Sequence, residues 1–256
     1  VARGVLAFLA DTQATSYADA KDAQPGKILH EMRSGEMAAL GEVPFGRYYG
    51  TADATPLFVM LAHAYFERTG DLAFIEKLWP HILAALDWMQ SDGDPDRDGF
   101  IEYARRSATG LVQQGWKDSN DSVFHADGAL AEPPIALCEI QGYAYAAWHG
   151  ASELATARGD SGLALAWRDR ADRLQARFDE AFWCEEIGTY ALALDGAKRP
   201  CRVRTSNPGH CLLTGIVLPA RAERLATTLM SEESFAGWGV RTVGAGEARY
   251  NPMAYH

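Results

Sequence analysis

The segment around Trp116, Lys117 and Asp118 is the part of the sequence best suited to chemistry. It reads QGWKDSNDSVFHAD from Gln114 to Asp127 and places an aromatic ring beside carboxylates and amides. Sugars bind to such mixtures, because a ring packs on their C–H face while planar polar groups bind their hydroxyls. Glycoside hydrolysis further requires two carboxyl groups that flank the scissile bond. The segment therefore favours a carbohydrate site.

Asp118 also has a purely structural interpretation. Asp and Ser are common caps of helices and turns, and composition alone favours a cap at Asp118 and Ser119. A catalytic acid here needs a raised pKa, for which burial beside Trp116 and the charge of Asp121 are the available causes.

Metal and nucleotide chemistry find little support. Asp94 to Gly99 begins like a calcium loop, DxDxDG, but Arg105 stands where the bidentate glutamate belongs, so a tight turn between helices is favoured. The seven histidines show no HxxxH or HExxH spacing, and no glycine-rich phosphate motif occurs. We expect no metal and no cofactor.

Most of the chain carries helical periodicity. Apolar residues at i, i+4 and i+7 spacing predict helices, with Asp53 or Thr55 capping the first, Pro80 kinking or splitting the second, and Pro133 and Pro134 opening the third. The predicted helices cover Asp53–Arg68, Leu72–Met89, Glu132–Ala157, Gly162–Phe182 and Leu212–Met230.

The remaining segments complete an all-α fold with one small β-hairpin. Residues Thr189 to Arg204 alternate and turn at Asp195-Gly196, as hairpins do. Helices in pairs, with short turns on one side and long loops on the other, predict an (α/α)6 barrel; an α-solenoid lacks support because no fixed-period repeat is present. We expect residues 1–256 to form a single, partial domain.

Composition and net charge limit the kinds of molecule that the protein is expected to bind. The formal net charge of −10 argues against nucleic acid and anionic membranes, which need basic patches, and fits a neutral substrate such as a sugar. No segment has the length of a transmembrane helix and no signal peptide is recognisable. The four cysteines show no CxxC spacing, which predicts buried free thiols in a reducing cytoplasm. Helix-like residues at Val1–Ala10 and an abrupt end at YNPMAYH suggest a piece of a longer barrel.

Several motifs in order resemble the amylo-α-1,6-glucosidase (glycogen-debranching) family of (α/α)6 glycoside hydrolases. Beside GWKDS they are GKILHEMRSGEMAALGEVPFGRYYGTADATPLFV (Gly26–Val59), DGFIEY (Asp98–Tyr103), PIALCEIQGYAYAA (Pro134–Ala147) and GWGVRT (Gly237–Thr242). The resemblance implies that Asp118 is the general acid and that His125 and Asp127 orient its loop. It places the second carboxylate beyond His256, with Glu247, Glu139 and Glu36 as alternatives inside the chain.

The resemblance also suggests substrate-binding residues from four segments. Tyr48 and Tyr49 either stack on a sugar or cover the core, and Glu139 either binds sugar or pairs with an arginine. The expected substrate-binding residues are Trp116, Lys117, Glu139, Gln141, Arg33, Glu36, Tyr48, Tyr49, Asp53, Trp238 and Arg241.

The expected function is an inverting hydrolase of an α-glucoside, such as an α-1,6 branch of glycogen or an oligosaccharide. One alternative is a catalytically inactive sugar-binding fragment, since the second carboxylate is not identified. Another is a different (α/α)6 sugar enzyme, such as an epimerase or a phosphorylase. The oligomeric state is left open.

Overall fold

Eight α-helices and four two-residue strands make up the regular structure of the computed structural model, which describes residues 1–254. Two single 3-10 turns lie at Asp19–Lys21 and Pro44–Gly46. The helices are α1 (Ala2–Asp11), α2 (Glu36–Ala39), α3 (Ala54–Thr69), α4 (Leu72–Gln90), α5 (Cys138–Ala157), α6 (Ser161–Phe182), α7 (Asn207–Thr214) and α8 (Pro219–Leu229). The strands are β1 (Ala136–Leu137), β2 (Trp183–Cys184), β3 (Thr189–Tyr190) and β4 (Ala193–Leu194).

The long helices form pairs, α3 with α4, α5 with α6 and α7 with α8, each joined by a short turn. The first helices of the pairs also contact one another, because α5 packs between α3 and α7. These three helices therefore form an inner row and their partners an outer row, as the all-α, (α/α)-barrel prediction requires. Helical periodicity, together with the alternation of short turns and long loops, predicted this architecture.

Helix α5 is the centre of the core. Fourteen of its residues are buried, including polar ones, whereas α6 buries only the stripe Ala164, Trp167, Ala171, Leu174 and Phe178 with Phe182. Glycines allow close packing around α5: a Cβ on Gly150 would lie 2.7 Å from the His63 ring of α3. The main apolar cluster extends from Leu6 in α1 to Leu229 in α8.

Two predicted helices differ from the observed ones. The helix predicted from Glu132 begins at Cys138, because residues 136–137 are extended and pair with β4. The helix predicted over Leu212–Met230 is two helices, because Gly215 ends α7 in a left-handed conformation (φ 79°) and Pro219 starts α8. Helix α4, in contrast, continues unbroken through Pro80.

The predicted hairpin is present, and another one precedes it. Residues 192–195 pair antiparallel with residues 199–201, and β4 also pairs with β1 on its other side. Strands β2 and β3 form the preceding hairpin across a turn at residues 185–188. The predicted turn at Asp195 does exist, since the Asp195 N–H donates to the carbonyl of Arg199 and Leu194 bridges to Pro200. The alternation predicted this hairpin, but it did not show that β4 also pairs with β1.

Two further sequence predictions concern caps and thiols. Asp53 holds the position before α3, but its side chain makes no capping hydrogen bond; its Oδ1 accepts from the Thr51 hydroxyl. All four cysteines are free and buried, as predicted. Within residues 1–254, none of the helices has the length and apolar character needed to cross a membrane.

Candidate active site

The starts of the three inner helices converge on one polar cluster. Asp53 immediately precedes α3, Glu139 lies in the first turn of α5, and Asn207 is the first residue of α7. Helix N-termini favour negative charge, so they are suitable positions for the two carboxylates. The long loops of the chain precede α3, α5 and α7, so they meet at this end of the barrel.

Glu139 is the most deeply buried member of the cluster, with no exposed surface. Its Oε1 accepts a hydrogen bond of 2.8 Å from Asn207 Nδ2. Burial raises the pKa of Glu139, while Asn207 and Lys117 lower it in part and Asp53 raises it. Burial likewise raises the pKa of Asp53. The cluster thus holds two carboxyl groups that retain protons more readily than exposed ones do.

Lys117 brings a cation next to these carboxyl groups. It is 4 % exposed, and its Nζ donates a 2.6 Å hydrogen bond to the Thr242 carbonyl. Burial lowers the pKa of Lys117 to about 8, and Glu139 opposes that change. The bond to Thr242 also ties the loop around residue 117 to the loop around residue 242.

Trp116 supplies the aromatic surface of the site. Its side chain stays 38 % exposed, and its ring lies 5.6 Å from the ring of His210. His210 Nδ1 hydrogen-bonds the Tyr143 hydroxyl at 2.7 Å, and burial lowers the pKa of His210. An exposed indole backed by a neutral imidazole is a flat surface suited to a sugar ring.

Asp118 follows this aromatic surface directly and is half-buried. It stands between Lys117, which is fixed in the cluster, and Ser122, whose hydroxyl donates to the Lys117 carbonyl at 2.7 Å. The loop is therefore held on both sides of Asp118. This placement suits a general acid, a role that stays a prediction.

Three of the expected substrate-binding residues, Lys117, Glu139 and Asp53, thus share one cluster, and Trp116 adjoins it through the ring of His210. Three residues of the same cluster were not predicted, namely Asn207, Tyr143 and His210. Helical spacing offered a signal for them, because Tyr143 follows Glu139 by four residues and His210 follows Asn207 by three. Their chemistry was not recognised because no local motif surrounds them.

Gln141 and the two tyrosines have structural roles instead of the predicted sugar contacts. Gln141 has no exposed surface; its amide bonds the backbone of Ile101 through both Oε1 and Nε2. Tyr48 is also fully buried and donates to Asp22 Oδ2 at 2.7 Å. Tyr49 is buried and donates to the Thr12 carbonyl at 2.7 Å. Rings without an exposed face have no room for a sugar, so core packing explains both tyrosines.

The other predicted binding residues lie on outer loops. Arg33 is exposed, forms an ion pair with Glu31 and packs on the Phe45 ring, while Glu36 is exposed at the start of α2. Trp238 is fully exposed. Arg241 donates to the Glu232 carbonyl at 3.0 Å, next to the Thr242 that binds Lys117. The loop of Trp238 and Arg241 is tied to the cluster by the hydrogen bond between Lys117 and Thr242, and the loop of Arg33 and Glu36 is tied to the Trp116 segment by the bond from the Ala52 N–H to the Gln114 carbonyl. The last two residues of the chain, 255 and 256, lie outside the residues that the structure describes.

The two residues expected to orient the Asp118 loop bind elsewhere. His125 lies 3.2 Å from Asp195 Oδ2 in the 193–201 turn, and Asp127 accepts from the Ala129 N–H. Among the alternatives for a second carboxylate, Glu247 is held by the Arg204 N–H at 2.9 Å. Glu139 is consequently the alternative that lies in the cluster.

The acidic turn at Asp94 to Gly99 is occupied by a lysine. The Asp94, Asp96 and Asp98 side chains are close enough together to hold a cation, but Lys198 Nζ lies 2.9 Å from Asp96 and 2.7 Å from Asp98 and also pairs with Glu102. One ammonium group therefore already lies among these carboxylates. The turn follows α4 directly but leads into a long loop before α5 and not into another helix, contrary to the predicted inter-helix turn.

Comparisons with known proteins identify the family and the fold of the chain. Residues 50–256 match the family described as mannosylglycerate hydrolase MGH1-like glycoside hydrolase domain. No curated protein sequence matches the chain. The match is to this family, and the narrower resemblance to amylo-α-1,6-glucosidases is not confirmed.

Solved structures show the same fold. The GH63 mannosylglycerate hydrolase of Thermus thermophilus in complex with glucose has a TM-score of 0.67 at 17 % identity, over 98 % of this chain and 69 % of that one. Its complex with Tris gives a TM-score of 0.63 at 17 % identity, over 98 % and 70 %. A GH78 family rhamnosidase of Bacillus sp. GL1 gives 0.55 at 19 % identity, over 74 % of this chain and only 18 % of that one.

Proposed function

Because the chain belongs to the MGH1-like family of glycoside hydrolases, we propose that it hydrolyses an α-linked glycoside with inversion, using Asp118 as the general acid. The observation that carries the proposal is the contrast within one loop. Trp116 keeps an exposed ring, while its neighbour Lys117 is buried against the carboxyl cluster, so a sugar on the ring would meet fixed polar groups.

The mechanism requires a protonated Asp118 to donate to the leaving oxygen while a second carboxylate activates water. In an inverting enzyme the two carboxyl groups stand roughly 6.5–9.5 Å apart, which leaves room for the water. Glu139 and Asp53, both buried at helix N-termini, would balance the charge of Lys117 and thereby fix the position of the loop that carries Asp118. Trp116 would bind the apolar face of the sugar ring.

Two substrate classes deserve comparison. The motif resemblance favours a neutral α-glucoside, including α-1,6-linked ones from cytoplasmic glycogen turnover. The structurally similar mannosylglycerate hydrolase points to a glycoside whose aglycone carries a carboxylate. Turnover of isomaltose, maltose and mannosylglycerate, measured side by side, distinguishes the two classes.

The decisive variant is Asp118→Asn. We expect the loss of the proton donor to lower kcat by about 10²–10⁴-fold while the affinity for sugar persists, because the amide keeps the shape of the side chain. The measurement is product release together with calorimetric binding, with the anomer of the first-formed product read by NMR. Glu132→Gln is the matched control, since Glu132 is an exposed carboxylate that follows the same loop and has no role in the proposed mechanism. Near-normal turnover in Asp118→Asn contradicts the assignment.

A sugar-binding protein without turnover is the second candidate. This candidate is favoured because neither in-chain alternative is free as a base. Glu247 accepts a hydrogen bond from the Arg204 N–H, and Glu36 lies exposed at the start of α2. Sugar affinity without release of product from the wild-type chain supports this candidate. Turnover that depends on Asp118 excludes it.

A further inference from the structure

A second cleft, with no residue in common with the candidate active site, is lined by four arginines. It lies between the 91–99 loop and α6 and has a volume of about 310 Å³. The four arginines are Arg97, Arg170, Arg173 and Arg177. Small-molecule sites commonly have volumes of about 300–1,000 Å³, so the cleft is large enough for a small ligand.

The arginines are concentrated in a way that folding alone does not require. Arg170, Arg173 and Arg177 follow i, i+3, i+7 spacing, which puts three like charges along one face of α6 and destabilises an isolated helix. None of the four forms an ion pair within residues 1–254, although the chain as a whole is strongly acidic. Arg97 in addition has a left-handed backbone (φ 61°), which is uncommon for residues other than glycine.

Two of the four guanidinium groups are held in place by aromatic rings. Arg170 packs over Trp148 at 4.8 Å and donates to Gln90 Oε1 at 2.9 Å, and Arg177 packs over Phe100 at 5.6 Å. Arg97 and Arg173 are exposed at the cleft. Stacked guanidinium groups lose little freedom on binding, and their planar fork fits phosphate oxygens with two parallel hydrogen bonds.

Asp94 adds a buried acceptor to the wall of this cleft. Its Oδ2 accepts from the Gly99 N–H at 3.1 Å, whereas its buried Oδ1 has no hydrogen-bond partner among the described residues. An orphaned acceptor of this kind is satisfied by a hydroxyl donor or by water. A ligand that combines an anionic group with hydroxyl groups would therefore match both the arginines and Asp94.

We propose that this cleft binds the phosphate group of a small ligand, which makes it an anion site separate from the glycosidase site. Free phosphate and the phosphomonoester of a sugar share this chemistry. The net charge of −10 disfavours a nucleic acid as the occupant.

The test is titration calorimetry of the 256-residue protein at constant ionic strength with inorganic phosphate, glucose 6-phosphate, glucose and a single-stranded oligonucleotide. We expect saturable binding of the phosphate-bearing small ligands to this cleft, whereas any binding of glucose, which fits the proposed glycosidase site, should not change when the arginines of the cleft are substituted. Tighter binding of glucose 6-phosphate than of phosphate identifies a phosphomonoester as the ligand, and equal dissociation constants identify free phosphate; both support the site.

The matched variants are the double substitution Arg173→Gln with Arg177→Gln and, as control, Arg68→Gln. Arg68 is an exposed helical arginine of α3 without an ion pair in the described chain. We expect the double variant to weaken phosphate binding at least tenfold while its melting temperature and its glycosidase activity stay within the range of the control. The proposal is overturned if neither phosphate ligand binds, if Arg68→Gln weakens binding equally, or if only the oligonucleotide binds.

Discussion

At the scale of single residues, two lysines are buried in a chain whose formal net charge is −10. Lys27 and Lys117 are each 4 % exposed, and burial lowers the pKa of each to about 8. Lys117 has the carboxyl group of Glu139 nearby. Lys27 has weaker compensation, since its Nζ donates to the Asp22 carbonyl at 3.2 Å and lies 5.5 Å from the Trp88 ring.

Lys27 should make the stability of the protein depend on alkaline pH. Its pKa falls from 10.5 in the unfolded chain to about 8 in the folded one, so between these values the unfolded state binds more protons. Stability therefore rises with pH in this window, and the contribution is lost as pH falls through about 8. In this window, the free energy of unfolding of the wild type minus that of Lys27→Met should increase by up to about 1.4 kcal/mol per pH unit.

Urea denaturation of both proteins from pH 7 to pH 10 measures this difference. Lys21→Met, at an exposed position six residues away, controls for the loss of one positive charge. Parallel pH profiles for the wild type and Lys27→Met would contradict a depressed pKa at Lys27.

What the sequence reveals about residues depends on whether their partners are local. Trp116, Lys117 and Asp118 are adjacent, so their shared chemistry was visible as a motif. Gln141 and Tyr48 looked like binding residues because sequence cannot show that Ile101 and Asp22 already use their polar atoms. Asn207 escaped notice for the converse reason, since its partner Glu139 is 68 positions away.

At the scale of elements, packing decides which helix-breaking residues take effect. Pro80 leaves α4 intact because Leu78, Trp79 and Ile82 around it are buried against the core. Their burial outweighs the missing backbone hydrogen bond. Gly215, at the edge of the core, does end its helix. Periodicity predicted where helices lie, whereas their ends depended on tertiary contacts that no local pattern carries.

The contact of α3 with α5 predicts a sharp difference between two helical glycines. A methyl group at Gly150 would lie 2.7–2.9 Å from the His63 ring, which is closer than van der Waals contact allows. Gly150→Ala should therefore destabilise the protein by about 1–3 kcal/mol through overpacking. In α1, a Cβ on Gly4 meets nothing within 4 Å.

Gly4→Ala should accordingly be neutral or stabilise the protein by up to about 1 kcal/mol, because alanine favours helix. Thermal and urea unfolding of the two variants measure both effects. A Gly150→Ala protein as stable as Gly4→Ala would mean that α3 and α5 do not pack this closely.

At the scale of the whole molecule, a continuous core links the first long helix to the last. The main cluster includes residues of α1, α3, α4, α5, α6, α7 and α8. We propose that residues 1–256 unfold as one domain, since no element in this list has a core of its own.

Calorimetry and spectroscopy test that proposal. The calorimetric and van't Hoff enthalpies should agree, and the urea midpoints from helix circular dichroism and from tryptophan fluorescence should coincide. The seven tryptophans are distributed from residue 79 to residue 238, so fluorescence samples most of the chain. Two separated transitions would show instead that part of the barrel melts independently.

Labelling of the four buried cysteines can report when the structure around each of them opens. No thiol is accessible in the folded chain, and burial raises the pKa of Cys184 and raises that of Cys201 to about 12, which suppresses the reactive thiolate. Alkylation can then proceed only when the surrounding structure opens. Because Cys138 and Cys211 join α5 to α7, whereas Cys184 and Cys201 flank the β3–β4 segment, the order in which they are labelled records which region opens first.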